Sequence, residues 1–173
     1  MNSNEISAAL KAQFIDAELE WVEPENGDRF LYVPALQIPQ IVKHLKESPE
    51  FYFDYLVNLS AFDATAHIEV VYHFYSYKHR HTFVLKVKVA RENGEIPTIV
   101  DLYGAANFQE REVYDHFGVR FKGHPNLTRI LLPQDWVGYP LLKDYKEQAE
   151  YNGIETTRPQ LLDFFAPQKD GGA

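Results

Sequence analysis

The chain predicts an α+β fold: a small mixed or antiparallel sheet covered by helices on one face, followed by an extended C-terminal arm. Three observations carry that expectation. Apolar residues alternate through three runs between Phe51 and Ala90, the period of half-buried strands. Three other segments repeat apolar residues at the spacing of a helix. After Leu132 neither period persists, while Pro133, Pro140, Pro159 and Pro167 interrupt a stretch rich in Trp136, Tyr139, Tyr145, Tyr151, Phe164 and Phe165. These limits divide the chain into an α+β domain over 1–132 and an aromatic, proline-containing docking arm over 133–173.

Taken in order, Asn4 or Ser7 caps a first helix carrying Ile6, Leu10 and Phe14. Residues 19–33 read as two short strands around Asn26-Gly27, a two-residue hairpin signal. Pro39 belongs in the first turn of a second helix with Ile38, Ile41, Val42 and Leu45 inward, ending before Pro49. From residue 51 a strand places Phe51, Phe53, Tyr55, Val57 and Leu59 on one face, and Asp54, Asn58 and Ser60 on the other. Residues 67–77 and 82–90 then pair antiparallel across Lys78-His79-Arg80-His81, which sets His73 against Lys86 and Val71 against Lys88. Their second face is polar and expected to be solvated. Asn93-Gly94 makes a turn, and a polar helix spans 102–117 before Gly118 stops it.

Composition excludes several functions. A net charge of −8 and a pI near 5.3 argue against nucleic acid as a partner. Without cysteine there is no disulfide, thiolate nucleophile or Cys-ligated zinc or iron–sulfur cluster. No apolar run reaches the roughly 20 residues that cross a bilayer. The first residues lack the basic and apolar regions of a secretory leader, so none is expected.

The densest chemistry lies in 109–132. On a helical wheel Leu102, Ala106, Val113 and Phe117 share an arc with Glu110, while Phe108, Arg111 and Asp115 face away, with Glu112 and His116 between. Arg111–Asp115 and Glu112–His116 are then i,i+4 pairs. Glu110 is expected to be buried and to need a donor, with Arg129 or Arg120 nearest in sequence. A metal or acid–base site built from Glu110, Glu112, Asp115 and His116 is the competing reading. No His-x-x-x-His or Glu-x-x-His pair supports it. His73, His79 and His81 cluster at one hairpin beside Lys78 and Arg80, which repel a cation. His124 sits in a Gly-His-Pro turn suited to bonding nearby backbone. No nucleophile elbow, phosphate loop or dinucleotide fingerprint occurs. The residues alone favour an interaction protein over an enzyme.

Residues 109–145 closely resemble the signature of the 30 kDa-subunit family of the proton-pumping NADH:quinone oxidoreductase, respiratory complex I. Its E-R-E-x-x-D motif falls on Glu110, Arg111, Glu112 and Asp115. F-G-x-x-F-x-G-H-P falls on Phe117, Gly118, Phe121, Gly123, His124 and Pro125. R-I-L-x-P-x-D-W-x-G-x-P-L runs from Arg129 through Asp135 and Trp136, and Lys143, Asp144 and Tyr145 follow. One departure stands out: Leu142 occupies a place where the family usually carries arginine.

The resemblance implies a non-catalytic peripheral-arm subunit that binds no cofactor. FMN and Fe–S clusters would sit in partner subunits, and this chain would pack against the quinone-site subunit and a cluster-bearing neighbour. It would lie on the cytoplasmic side of a bacterial inner membrane, held there through the complex. The equivalent subunit of a membrane hydrogenase or ferredoxin-fed relative shares the motif. The rival from another class is a metal-dependent hydrolase using Glu110, Asp115, His116 and His124. On this reading, deleting 134–173 leaves a folded domain that no longer assembles.

Overall fold

A computed structural model describes residues 1–156. Its main sheet has five strands: β1 (Glu20–Val22), β2 (Phe30–Tyr32), β3 (Tyr55–Asp63), β4 (Ile68–Ser76) and β5 (His81–Val89). They lie in the order β1-β2-β5-β4-β3, antiparallel throughout except for the parallel β2–β5 contact. Three helices, α1 (Ser3–Gln13), α2 (Ile38–Glu47) and α3 (Ala106–Phe117), cover one face. Ile6 and Leu10, then Ile41 and Leu45, then Val113 and Phe117 join a single core with Val70, Tyr72 and Phe74 of β4 and Phe83, Leu85 and Val87 of β5. This is the mixed α+β architecture that the periodicity implies.

Several local expectations need correction. The first helix is capped by Asn2, whose side chain accepts from the Glu5 amide while Glu5 returns the bond. Ser7 is buried inside that helix. Residues 23–29 form a wide connection between β1 and β2 in place of a two-residue turn. Phe51 and Phe53 are fully buried as expected but precede β3. A bulge between Leu56 and Asn58 then shifts the alternation, so Leu56 and Leu59 point inward and Tyr55 and Val57 outward.

The β4–β5 register differs by two residues, with His73 opposite Val84 and Val71 opposite Lys86. The turn closes earlier because Arg80 adopts φ 53 and its amide donates to the Ser76 carbonyl at 2.7 Å. An even shift keeps every side chain on its expected face. The second sheet face is not simply solvated. Phe30, Val71 and Val84 form a small apolar cluster there, and buried Glu69 accepts from Tyr32 Oη, at 2.7 Å, and Lys86 Nζ, at 3.2 Å.

The polar helix begins at Ala106, not 102, because residues 99–104 wind through turns ending at Gly104 and no side chain caps the helix start. Two short strands that periodicity does not reveal bracket α3: β6 (Glu95–Pro97) and β7 (Arg120–Lys122), paired in parallel. The Arg120 amide donates to the Gly94 carbonyl, and a Cβ on Gly94 would stand 2.4 Å from the Ala90 oxygen. Beyond β7, the arm carries a two-stranded ribbon of β8 (Glu150–Tyr151) and β9 (Ile154–Glu155). Pro159, Phe164, Phe165 and Pro167 lie outside the described residues.

Gly118 ends α3 at φ 78, and a Cβ there would meet the Tyr139 ring at 2.5 Å. Gly118→Ala therefore meets both a backbone and a contact penalty. It should cost ~1–3 kcal/mol and lower the thermal midpoint by roughly 2–10 °C. Differential scanning calorimetry reads the change.

Candidate functional site

The residues singled out by sequence gather where α3, the turn after β7 and the arm meet. Both acids of the helix that matter most are fully buried, Glu110 and Asp115 alike. They face different surroundings. Glu110 points to the segment between β6 and α3, accepting from the Ile99 amide at 2.9 Å and from the Thr98 hydroxyl. Its burial agrees with the helical wheel; its partners do not include the expected arginine. Arg129 is engaged by Asp115, and Arg120 points to solvent. Burial raises the Glu110 carboxyl to about 7 against its ordinary 4.5, and the Ile99 and Thr98 bonds only partly offset that.

Asp115, expected on the outer face, is buried because the chain folds back over it. Its Oδ2 accepts from three successive amides, Ile130 at 3.1 Å, Leu131 at 2.8 Å and Leu132 at 3.0 Å. Its Oδ1 takes Arg129 Nη1 at 2.9 Å. Burial alone would raise its pKa, but this nest of amides and the guanidinium hold it below the usual range. Arg129 in turn donates to the Asp115, Trp136 and Gly138 carbonyls, at 3.0, 3.2 and 2.9 Å. One arginine thus ties the helix to the Trp136–Gly138 backbone.

The remaining motif residues extend this fastening. Arg111 does not pair with Asp115; its guanidinium donates to the Thr128 carbonyl at 3.1 Å and hydroxyl at 2.9 Å, and lies 5.3 Å from the ring of exposed Phe108. Glu112 and His116 form no ion pair among the described residues; they line a small cleft of about 200 Å³ between β3 and α3 that Leu141 closes. The His116 carbonyl accepts the Leu141 amide at 3.2 Å. His124 Nδ1 accepts the Asn126 amide at 3.0 Å, so Nε2 carries the proton and donates to the Asn107 carbonyl at 3.1 Å. Gly123, at φ 88, and exposed Pro125 shape that turn.

Trp136 Nε1 donates to Tyr145 Oη at 3.0 Å, and Tyr151 Oη donates to Asp135 at 2.9 Å. A second anchor, which the sequence reading misses, lies at the end of β3. Asp63 accepts the Lys143 amide at 2.9 Å, the Thr65 amide at 2.7 Å and Arg91 at 2.8 Å. The Lys143 amide does most to keep this carboxyl low, against burial, with Thr65 and Arg91 adding to it. Arg91 also grips Asp144. The Asp-x-Thr turn at Asp63 is the available signal. Leu142 is half-buried against the core and contributes apolar packing there.

Among the described residues no group of three or more His, Cys, Asp or Glu could hold a metal ion. His79 and His81, from the hairpin cluster, each place Nε2 2.8 Å from a backbone carbonyl, of Pro49 and Phe51. The arrangement fastens the segment after β7 to α3 and to the end of β3.

A family model described as respiratory-chain NADH dehydrogenase, 30 Kd subunit, matches residues 31–151. A NADH-quinone oxidoreductase subunit of Roseiflexus castenholzii (strain DSM 13941 / HLO8) is 40% identical over 148 residues, 84% of either chain. Its counterpart from Moorella thermoacetica (strain ATCC 39073 / JCM 9320) is 44% identical over 122 residues, 69% of this chain and 81% of its own. Among solved structures, the trypsin-resistant fragment of Nqo5 superposes with a TM-score of 0.61 at 28% identity, over 73% of this chain and the whole of that one. A chain of the membrane-bound sulfane sulfur reductase, an archaeal respiratory membrane complex, gives 0.62 at 25% identity, over 84% and 86%. The chain belongs to the 30 kDa-subunit family of respiratory-chain NADH dehydrogenases.

Two measurements separate the buried acids. Asp115→Asn turns an amide group into the nest and leaves Arg129 without its anion, so urea unfolding should show a loss of ~3–5 kcal/mol. Arg111→Ala, at a half-buried surface site, should cost under ~1.5 kcal/mol. Glu110 has the opposite pH dependence to Asp115. Because its folded pKa is raised, its stabilising contribution is complete below pH 4.5 and is lost as pH climbs towards 7. Over that window the loss is ~3 kcal/mol, and Glu110→Gln should abolish it.

Proposed function

We propose that this chain is a non-catalytic peripheral-arm subunit of a proton-translocating NADH:quinone oxidoreductase. It holds the quinone-site subunit and a cluster-bearing neighbour together, while the complex passes electrons from NADH through FMN and Fe–S centres in partner subunits to quinone. The observation that carries this reading is the use made of the family motif. Its charged and aromatic residues are spent on fixing α3, the following turn and the arm, while Phe108, Leu131, Val137 and Leu141 remain 53–65% exposed. Large apolar side chains left outward on a rigid frame suit a permanent partner. No helix among the described residues is long and apolar enough to cross a membrane. A place on the cytoplasmic side of a bacterial inner membrane, held through the complex, accords with that.

The likeness to the sulfane sulfur reductase chain favours, as a second reading, the equivalent subunit of a related respiratory membrane complex. The 40% identity to a NADH-quinone oxidoreductase relative supports the first.

We also divide the chain functionally into the domain 1–132 and the arm 133–173, and the arm's proximal part works as an internal strap. The match to a fragment of a relative described as trypsin-resistant supports such a boundary. A chain ending at Tyr145 should keep the parent's melting midpoint. One ending at Leu132 loses the Trp136 and Gly138 carbonyls that accept from Arg129 and the Lys143 donor of Asp63, so it should fold but melt several degrees lower, at roughly 2–4 °C per kcal/mol. Neither should recover redox subunits when tagged and isolated from membranes. Recovery of the full set by both truncated chains would remove the arm from the assembly role.

A further inference from the structure

The sheet face away from the helices ends in a patch that the fastening of the arm does not use. Tyr52, Tyr55 and Tyr77 are 42%, 46% and 63% exposed. The rings of Tyr55 and Tyr77 pack against one another and against Tyr75, and Tyr52 packs under Lys78. Tyr55 meets Tyr77 edge-on at 5.6 Å, Tyr77 meets Tyr75 edge-on at 5.0 Å, and Lys78 Nζ stands 5.2 Å above the Tyr52 ring. Arg80 sits beside them in the same turn. Within a chain of net charge −8, residues 76–82 contain no acid, and neither Lys78 nor Arg80 forms an ion pair among the described residues.

The patch is held rigid. His79 and His81 bond the Pro49 and Phe51 carbonyls, and the Tyr77 amide donates to Asp54 at 3.0 Å. Two non-glycine residues in it adopt left-handed backbone, Tyr52 at φ 44 and Arg80 at φ 53, conformations that bulky side chains rarely take. Tyr75 stands cross-strand from Thr82, which opens onto a groove of about 530 Å³ floored by Val57, Asn58, His73 and Val84 and walled by Asp28 and Arg29.

We propose that this surface docks a carboxylate-bearing segment of a neighbouring protein subunit, with its acid between Lys78 and Arg80 and an apolar side chain in the groove. Tyrosine and arginine on a preorganised surface are the residues that anchor protein interfaces at low entropic cost. Unpaired cations on an otherwise acidic chain select an anionic partner. Two cations are too few to follow a polyphosphate backbone, and the surrounding −8 charge repels one, which disfavours RNA and an anionic membrane. The proposal rests on the chain's place in a multisubunit complex.

The test places p-benzoylphenylalanine at position 77 of the full chain within its membrane complex. Irradiation should attach it to a peptide of another subunit that contains Asp or Glu. The yield should fall roughly tenfold in a K78E/R80E double variant, a loss of about 1.4 kcal/mol of docking free energy, and should weaken with salt. Both side chains are exposed, so the isolated double variant should melt with the parent, which separates docking from folding. Attachment to lipid or nucleic acid alone, or a yield that charge reversal leaves unchanged, overturns the proposal. If the chain co-purifies with the redox subunits but gives no protein adduct, this docking alone falls; if it does not co-purify, the assembly reading falls with it.

Discussion

The ion pair of Asp115 and Arg129 is the constraint on which the packing of α3 and the segment after β7 depends. A carboxylate with no exposed surface requires full hydrogen bonding, and Asp115 obtains it by wrapping the Ile130–Leu132 backbone around one oxygen. That requirement fixes where the chain travels after β7. Arg129, held by the other oxygen, then organises the carbonyls of Trp136 and Gly138 and so sets the first bend of the arm. Gly118 and Gly138 leave room for Tyr139 and Tyr145 to lie flat on that bend. Removing either charge would strand the other in a low-dielectric site, so the pair specifies geometry more than it adds net stability.

Around that hub the structure has two further layers. Asp63 and Arg91 pin the next part of the arm to the far end of the sheet, and the β6–β7 pair closes the base of α3. Glu110 sits between, and there burial outweighs the bonds from Ile99 and Thr98 and raises the carboxyl, whereas the backbone amides and arginine at Asp115 and at Asp63 outweigh burial and lower theirs. Of the four buried acids among the described residues, Asp63, Glu69 and Asp115 are lowered and Glu110 alone is raised, according to whether donors or burial prevails.

Periodicity makes the sheet, the three helices and the inward faces of β4 and β5 legible from the residues alone. The register of their hairpin falls two residues from the expected one because a left-handed Arg80 is not a property of any sequence pattern. The bulge in β3 and the late start of α3 escape for the same reason: both are local backbone choices settled by packing. On α3 the wheel places Glu110 correctly and Asp115 incorrectly. A wheel assumes one buried side, whereas the residues that bury Asp115 come from a segment with no period to read. The partners Thr98, Ile99 and Asp63 lie too far along the chain for i,i+4 reasoning to reach. The family motif, by contrast, names the residues of the hub without saying what they do.

The Asp63–Lys143 bond joins residues 80 apart in sequence. A ribosome that has delivered all of β3, β4 and β5 has not yet made the strand of arm that covers them. Any structure that the sheet adopts before residue 143 emerges has Asp63 without its Lys143 donor, and any that α3 adopts before residue 130 emerges has Asp115 without its amides. The arm closes on the sheet only once residue 143 has been made, so a subunit whose sheet forms earlier leaves that flank of the sheet accessible to other chains until then.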